Sequence, residues 1–170
     1  HLFKGHLQYF TLLLSLLLFS ISVTRLTKLF NFQGFSAYFF CALFISFPQI
    51  AYQVVFGMMA DIAALGFLLS VICVEVFLKI IVEKSIPKKI IVLLSVSLIL
   101  MFTLSLYQAF IFVPAVIYVI LFFQNTFKDS FNLKIEIKSM AFFISVLIVS
   151  LFFYYISVKI ICPPIEGSEY

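Results

Sequence analysis

The sequence has few charged residues and no tryptophan. Charged side chains make up 11% of the 170 residues and hydrophobic ones 65%, against roughly 25% and 45–50% in soluble domains. Soluble domains keep charged side chains on their surface. This composition therefore excludes a soluble domain and predicts an integral membrane protein. In the absence of tryptophan, tyrosine is expected to take the aromatic role at the membrane interface.

Several motifs of soluble enzymes are also missing. The chain contains no glycine-rich nucleotide loop, no Ser/His/Asp arrangement and no HExxH motif, which argues against a soluble-type enzyme that uses nucleotides. The three cysteines, Cys41, Cys73 and Cys162, lack the spacing of a metal site, and the first two are predicted to serve packing. No cofactor is identified, and a divalent metal is compatible with the sequence without being indicated by it.

The apolar runs predict an all-α fold, a polytopic membrane helical bundle of about six transmembrane helices in a single domain, residues 1–170. A helix needs about 20 apolar residues to cross the hydrocarbon core. The predicted spans are residues 7–23, 35–47, 59–78, 90–106, 110–123 and 140–158. Pro114 is predicted to bend the fifth of them.

The net charge of +4 predicts membrane orientation, and no nucleic-acid partner is expected. Nine of the eleven basic residues fall in three short segments, and such a cluster marks cytoplasmic loops. They are Arg25 and Lys28; Lys79, Lys84, Lys88 and Lys89; and Lys128, Lys134 and Lys138. With these segments inside, both ends of the chain are predicted to be extracytoplasmic. Because the chain begins at His1, it is expected to be part of a longer protein.

Tyr107 and Gln108 lie in the middle of a long apolar stretch, residues 90–123, that has lysines before and after it. About 20 apolar residues are enough for one helix to cross a membrane. A longer stretch with lysines at both ends does not fit a single crossing, because its two ends are then expected on the same side of the membrane. Two short spans joined by a tight polar turn fit the pattern. The turn then places Tyr107 and Gln108 at the non-cytoplasmic surface.

Two acidic residues lie inside predicted spans, where charge is costly and is a functional candidate by default. Glu75 is predicted to pair with Lys79 one turn later on the same helix. Asp61 has two interpretations. It either caps the start of its helix, where the dipole favours negative charge, or faces an outward-opening cavity as a base, a metal ligand or an acceptor for sugar hydroxyls.

Other polar side chains are predicted at the same outer level as Asp61. Their amides and phenols both donate and accept hydrogen bonds, which suits a ligand rich in hydroxyls or phosphate. The predicted substrate-binding residues are Gln49, Tyr52, Gln53, Asp61, Tyr107 and Gln108.

Three segments carry a resemblance to a known family: FPQIAYQ at residues 47–53, DIAAL at 61–65 and LYQAF at 106–110. Over residues 35–123 the chain resembles the bacterial and phage serotype-converting O-antigen glucosyltransferases, polytopic enzymes of the GT-C type. The resemblance implies transfer of a sugar, glucose, from a polyprenyl-phosphate donor to lipopolysaccharide O-antigen or another glycan acceptor. It also implies a multi-pass protein of the bacterial inner membrane acting on its periplasmic side.

The resemblance leaves the catalytic residues unassigned. Enzymes of this type carry their key acids in an early extracytoplasmic loop, and no such loop precedes Leu7. The main acid is therefore expected upstream of His1, with Asp61 as a supporting residue and the weaker catalytic candidate.

Two other functions fit the composition. One is a transporter or flippase module for a lipid-linked substrate, and the other is a non-catalytic membrane subunit or fragment. The candidate polar residues lie at one surface and the middle of the predicted bundle is apolar, which favours surface chemistry over passage.

Overall fold

The computed structural model describes residues 2–46, 60–82, 86–127 and 132–161, and these contain helices and short connections but no strand. The helices are α1 (Leu2–Leu29), α2 (Phe35–Ser46), α3 (Ala60–Val82), α4 (Ile86–Leu106), a 3-10 helix (Gln108–Ile111), α5 (Phe112–Thr126) and α6 (Leu133–Ile161). The prediction of an all-helical fold is confirmed.

Among these helices, five segments are long and apolar enough to cross a membrane. They are Tyr9–Leu29, Ala60–Ile81, Lys89–Leu106, Gln108–Thr126 and Leu133–Ile161. The second predicted span corresponds to α2, which has 12 residues. At about 1.5 Å per residue it is roughly 18 Å long, shorter than a hydrocarbon core of about 30 Å.

Helix α1 extends beyond its predicted end and stops at a local capping motif. The Phe32 N–H donates to the Thr27 carbonyl at 2.9 Å, and the Asn31 N–H donates to the Lys28 carbonyl at 3.1 Å. Asn31 has a φ of 55°, the left-handed conformation that asparagine tolerates at this position of a Schellman motif. The basic residues Arg25 and Lys28 therefore belong to the helix rather than to a loop.

Helices α1 and α3 run parallel and pack along their length. The rings of Phe19 and Phe67 lie 6.2 Å apart, and further along both helices Arg25 meets Glu75. Helix α2 runs back along α1, because Phe40 packs on Phe30 and Phe44 on Phe19. Aromatic contacts thus hold the short helix against the bundle.

The core of the other half centres on Phe77 of α3, whose side chain is fully buried. Its ring lies 5.6 Å from Tyr118 of α5 and 4.8 Å from Phe143 of α6, and the last two rings stack at 4.4 Å. This aromatic cluster joins three helices and fixes the axial register of α5 against α6.

Alternating helix directions give the bundle two ends of different chemistry. We call one the basic end, because it carries the described members of the three basic segments on the last turns of α1 and α3 and the first turns of α4 and α6. We call the other the tyrosine end, and it carries Asp61, Tyr107, Gln108 and Tyr154. Which end faces the cytoplasm stays a prediction.

Pro114 lies in the first turn of α5 and is fully buried. The first turn of a helix has backbone N–H groups without intrahelical partners, so proline is tolerated there. Helix α5 runs from Phe112 to Thr126 with Pro114 as its third residue, and the bend expected at Pro114 stays a prediction.

Candidate functional site

The chain reverses at Tyr107, as the apolar pattern predicted. Helix α4 ends at Leu106, and Tyr107 is extended, with φ −162° and ψ 125°. The Tyr107 N–H still donates to the Thr103 carbonyl at 3.3 Å, and its own carbonyl accepts from the Phe110 N–H at 3.0 Å. These bonds join the end of α4 directly to the 3-10 helix, so the turn is tight.

A glycine on α3 anchors this turn. A Cβ atom at Gly66 would lie 2.6 Å and 2.7 Å from two carbon atoms of the Phe110 ring, closer than carbon atoms can approach. Only glycine leaves room for the ring. The contact holds the 3-10 helix against the second turn of α3, at the tyrosine end.

Gln108 and Tyr154 form the polar contact of this end. Gln108 Nε2 donates to the Tyr154 hydroxyl oxygen at 3.1 Å, which links the turn to the last part of α6. The Tyr107 ring packs edge-on against Phe110 at 5.9 Å and is 63% exposed. One amide and one phenol therefore meet at this end, and the exposed Tyr107 phenol lies on the same turn, so this end offers hydrogen-bond donors and acceptors to a ligand.

Tyr154 was not among the predicted site residues. It is 46 positions from Gln108 along the chain, and no local spacing relates the two. One feature of the sequence could have identified it. Tyr154 lies near the end of the last apolar run, and this position is level with the predicted turn if α6 crosses the membrane in the opposite direction to α5.

Asp61 lies at the tyrosine end, in the first turn of α3, and is half-buried. Its Oδ1 accepts a hydrogen bond from the Ile62 N–H at 2.9 Å, so the carboxylate binds a backbone donor at the helix start, where the dipole favours it. Asp61 precedes Gly66 by five residues, a rotation of about 140° around the helix. The two residues therefore face different directions. Asp61 lies at the same end of the bundle as Gln108, but on a different face of α3 from the one that contacts the turn.

The other three predicted site residues, Gln49, Tyr52 and Gln53, lie outside the described residues. Their place relative to the turn stays a prediction.

Glu75 does not pair with Lys79 as predicted. Its Oε2 accepts a hydrogen bond from Arg25 Nη1 of α1 at 2.6 Å. The cross-helix partner prevails because α1 and α3 run side by side, and a guanidinium satisfies a carboxylate with better geometry than an ammonium does.

Among the described residues, two cavities lie at the basic end, where the sequence predicted no site. The larger, of about 590 Å³, is a shallow depression that is mostly open at the surface, and it is lined by Lys28, Leu29, Glu75, Leu78 and Lys79. The smaller, of about 300 Å³, shares Leu29 and Leu78 and extends between α5 and α6.

The lining of the smaller cavity is mostly apolar but includes four polar side chains, those of Tyr118, Asn125, Glu136 and Ser139. The Tyr118 hydroxyl donates to Ser139 Oγ at 3.0 Å, and Asn125 Nδ2 donates to Glu136 Oε1 at 3.2 Å. These bonds cross from α5 to α6, so they tie the two helices together at this end.

The described residues offer no group of three His, Cys, Asp or Glu side chains placed to hold a metal ion. Cys73 is fully buried among the apolar side chains of the core and Cys41 is half-buried, and both are free thiols. Their positions agree with the predicted packing role.

The chain was also compared with known protein families. The family model described as glucosyl transferase GtrII matches residues 1–170, the whole chain. Comparisons with curated proteins and with solved structures find no match.

Proposed function

This chain belongs to the glucosyl transferase GtrII family, and from that premise we propose the reaction it serves. It moves glucose from a polyprenyl-phosphate donor to lipopolysaccharide O-antigen, on the periplasmic side of the bacterial inner membrane. Five apolar helices of membrane-spanning length suit a donor whose lipid tail stays in the bilayer. The polar residues of the tyrosine end suit a sugar held at the surface.

The transfer exchanges one bond at the sugar's anomeric carbon for another. The bond from that carbon to the donor phosphate oxygen breaks, and its electron pair leaves with polyprenyl phosphate. The acceptor hydroxyl oxygen forms the new glycosidic bond and gives its proton to a general base. Such a reaction needs groups that orient two sugars and one phosphate, in addition to the base.

The contact between Gln108 and Tyr154, at 3.1 Å, is the observation that carries the site assignment. It fixes the amide, so that its remaining N–H and its carbonyl oxygen have defined directions toward a ligand. Tyr154 supplies a hydroxyl group in contact with it, and the exposed Tyr107 supplies a second hydroxyl group on the same turn. We assign to these three side chains the binding of sugar hydroxyls.

Asp61 is proposed to support the same end of the molecule. Its carboxylate already binds the Ile62 N–H, so a positioning role fits it better than that of the base. Gln49, Tyr52 and Gln53 are proposed to complete the polar surface.

The test compares two neighbouring tyrosines in the full-length protein. Tyr154→Phe removes the hydroxyl that accepts from Gln108, whereas Tyr155→Phe alters a side chain that is 65% exposed and lies outside the proposed site. One hydrogen bond contributes about 1 kcal/mol, so Tyr154→Phe and Gln108→Leu are each expected to lower transfer about fivefold or more. Tyr155→Phe is expected to transfer glucose like the wild type.

The measurement is transfer of labelled glucose from polyprenyl-phosphate glucose to O-antigen in membranes that contain equal amounts of each variant. Wild-type transfer by both Tyr154→Phe and Gln108→Leu would remove the site. Uptake of the lipid-linked substrate into vesicles without any transfer would replace the proposed reaction with transport.

A further inference from the structure

The larger cavity at the basic end lies where two apolar helices finish. It is lined by the last turns of α1 and α3, and its volume is about 590 Å³. Leu29 and Leu78 form its apolar wall, while Lys28 and Lys79 stand at its border. Both lysines are exposed.

The charges around this cavity do not balance. Arg25 binds Glu75 at 2.6 Å, and that ion pair neutralises the one carboxylate in the lining. Lys28 and Lys79 then leave two positive charges facing the cavity. A lysine near a helix C-terminus is favoured by the helix dipole alone, but two such lysines bordering one cavity make a site that attracts an anion.

An apolar stripe leads away from the cavity along α1. Leu17 and Ile21 precede Lys28 by 11 and seven residues, so all three fall on nearly the same face of the helix. These two side chains are 52% and 40% exposed. The stripe therefore offers a hydrocarbon chain a path that ends at the lysine.

We propose that this cavity binds the phosphate headgroup of an anionic phospholipid, with Lys28 and Lys79 as its cationic ligands and an acyl chain along the Leu17 and Ile21 stripe. Basic pockets between membrane helices bind phosphate headgroups through the same chemistry. Long lysine side chains suit this place, because their apolar stems lie along the helix while the ammonium groups reach the interface.

The smaller cavity does not fit the same ligand. Glu136 lines it and accepts from Asn125 at 3.2 Å, so a phosphate there would meet a carboxylate. The lysine-bordered cavity is therefore assigned the lipid, and the neighbouring one is not.

The experiment uses detergent-purified full-length protein titrated with fluorescent phosphatidylglycerol. Lys28→Gln/Lys79→Gln is expected to weaken binding by about tenfold or more, since each lysine near an anionic headgroup contributes about a further fivefold in affinity. Lys134→Gln/Lys138→Gln is the matched control, because it removes the same charge from exposed positions at the same end of the bundle. That control is expected to bind like the wild type.

Three further arms define the ligand. Lys28→Arg/Lys79→Arg keeps the charge and is expected to retain binding, which separates loss of the site from loss of the fold. Phosphatidylcholine is expected to bind weakly, and millimolar inorganic phosphate is expected not to displace the lipid. Equal weakening by both lysine pairs, tight binding of phosphatidylcholine or displacement by phosphate would each overturn the proposal.

Discussion

The ion pair between Arg25 and Glu75 joins α1 to α3 near the basic end, with the two side chains 43% and 21% exposed. A pair that water reaches in this way contributes about 1 kcal/mol or less. It contributes specificity as well, because each charge would lose its partner if either helix moved along the other by one turn. The pair thus helps to fix the axial register of α1 against α3.

A double-mutant cycle tests this pair at the residue scale. Arg25→Ala and Glu75→Ala are expected to show a coupling energy of about 0.5–1 kcal/mol, because the two groups contact each other. Lys79→Ala with Glu75→Ala is the matched cycle, and its coupling is expected to be near zero. The measurement is unfolding in a zwitterionic detergent free of anionic lipid, so that a ligand on Lys79 does not contribute. Stronger coupling to Lys79 than to Arg25 would contradict the structure.

Glu75 and Tyr154 show the limit of sequence reasoning at this scale. The spacing of Glu75 and Lys79 predicts a contact within one helix, and that is the only contact a single helix can reveal. The actual partners, Arg25 for Glu75 and Gln108 for Tyr154, lie 50 and 46 positions away. Finding them requires the axial register between helices, which packing of the whole bundle sets.

At the scale of elements, the break at Tyr107 was predictable because a physical length decides it. An apolar stretch too long for one span and bounded by lysines must turn, and the structure ends α4 at Leu106. Helix α2 was harder, because its 12 residues are apolar on every side and carry no signal that distinguishes a span from a shorter helix. The first turns of α6, from Leu133, were also missed, since alternating charged and apolar residues there resemble a loop.

The contact between Gly66 and Phe110 gives an element-scale prediction. Gly66→Ala adds a carbon atom 2.6 Å from the ring, so the 3-10 helix must shift away from α3. We expect a loss of about 1–3 kcal/mol in unfolding free energy, the usual result of overpacking, together with lower glucose transfer. Gly66→Ala/Phe110→Leu is expected to recover stability, because the smaller side chain vacates the space.

Unfolding in detergent and transfer in membranes measure the two effects. Wild-type stability of Gly66→Ala would show that α3 and the turn are not in close contact. Failure of Phe110→Leu to rescue stability would show that the strain arises elsewhere.

At the scale of the whole molecule, helix directions gather unlike chemistry at opposite ends. Two contacts spaced along each pair of helices show that α3 runs parallel to α1 and to α5. For α1 they are Phe19–Phe67 and Arg25–Glu75. For the 3-10 helix and α5 they are Gly66–Phe110 and Phe77–Tyr118. With α6 opposed to α5, the described basic segments come together at one end and the Gln108–Tyr154 contact lies at the other. The proposed lipid site and the proposed sugar site are therefore separated by the length of the bundle, and substitutions at one are not expected to alter direct contacts at the other.

Membrane orientation provides the last prediction. Because basic segments favour the cytoplasmic side, a cysteine at position 107 is expected to face the periplasm and one at position 138 the cytoplasm. The variants are Tyr107→Cys and Lys138→Cys, each in a background where Cys41, Cys73 and Cys162 are replaced by alanine. A membrane-impermeant maleimide is expected to label Tyr107→Cys in intact spheroplasts and Lys138→Cys only after permeabilisation. The reverse pattern would place Gln108 and Tyr154 on the side opposite the proposed acceptor, and the proposed reaction could not take place at that end.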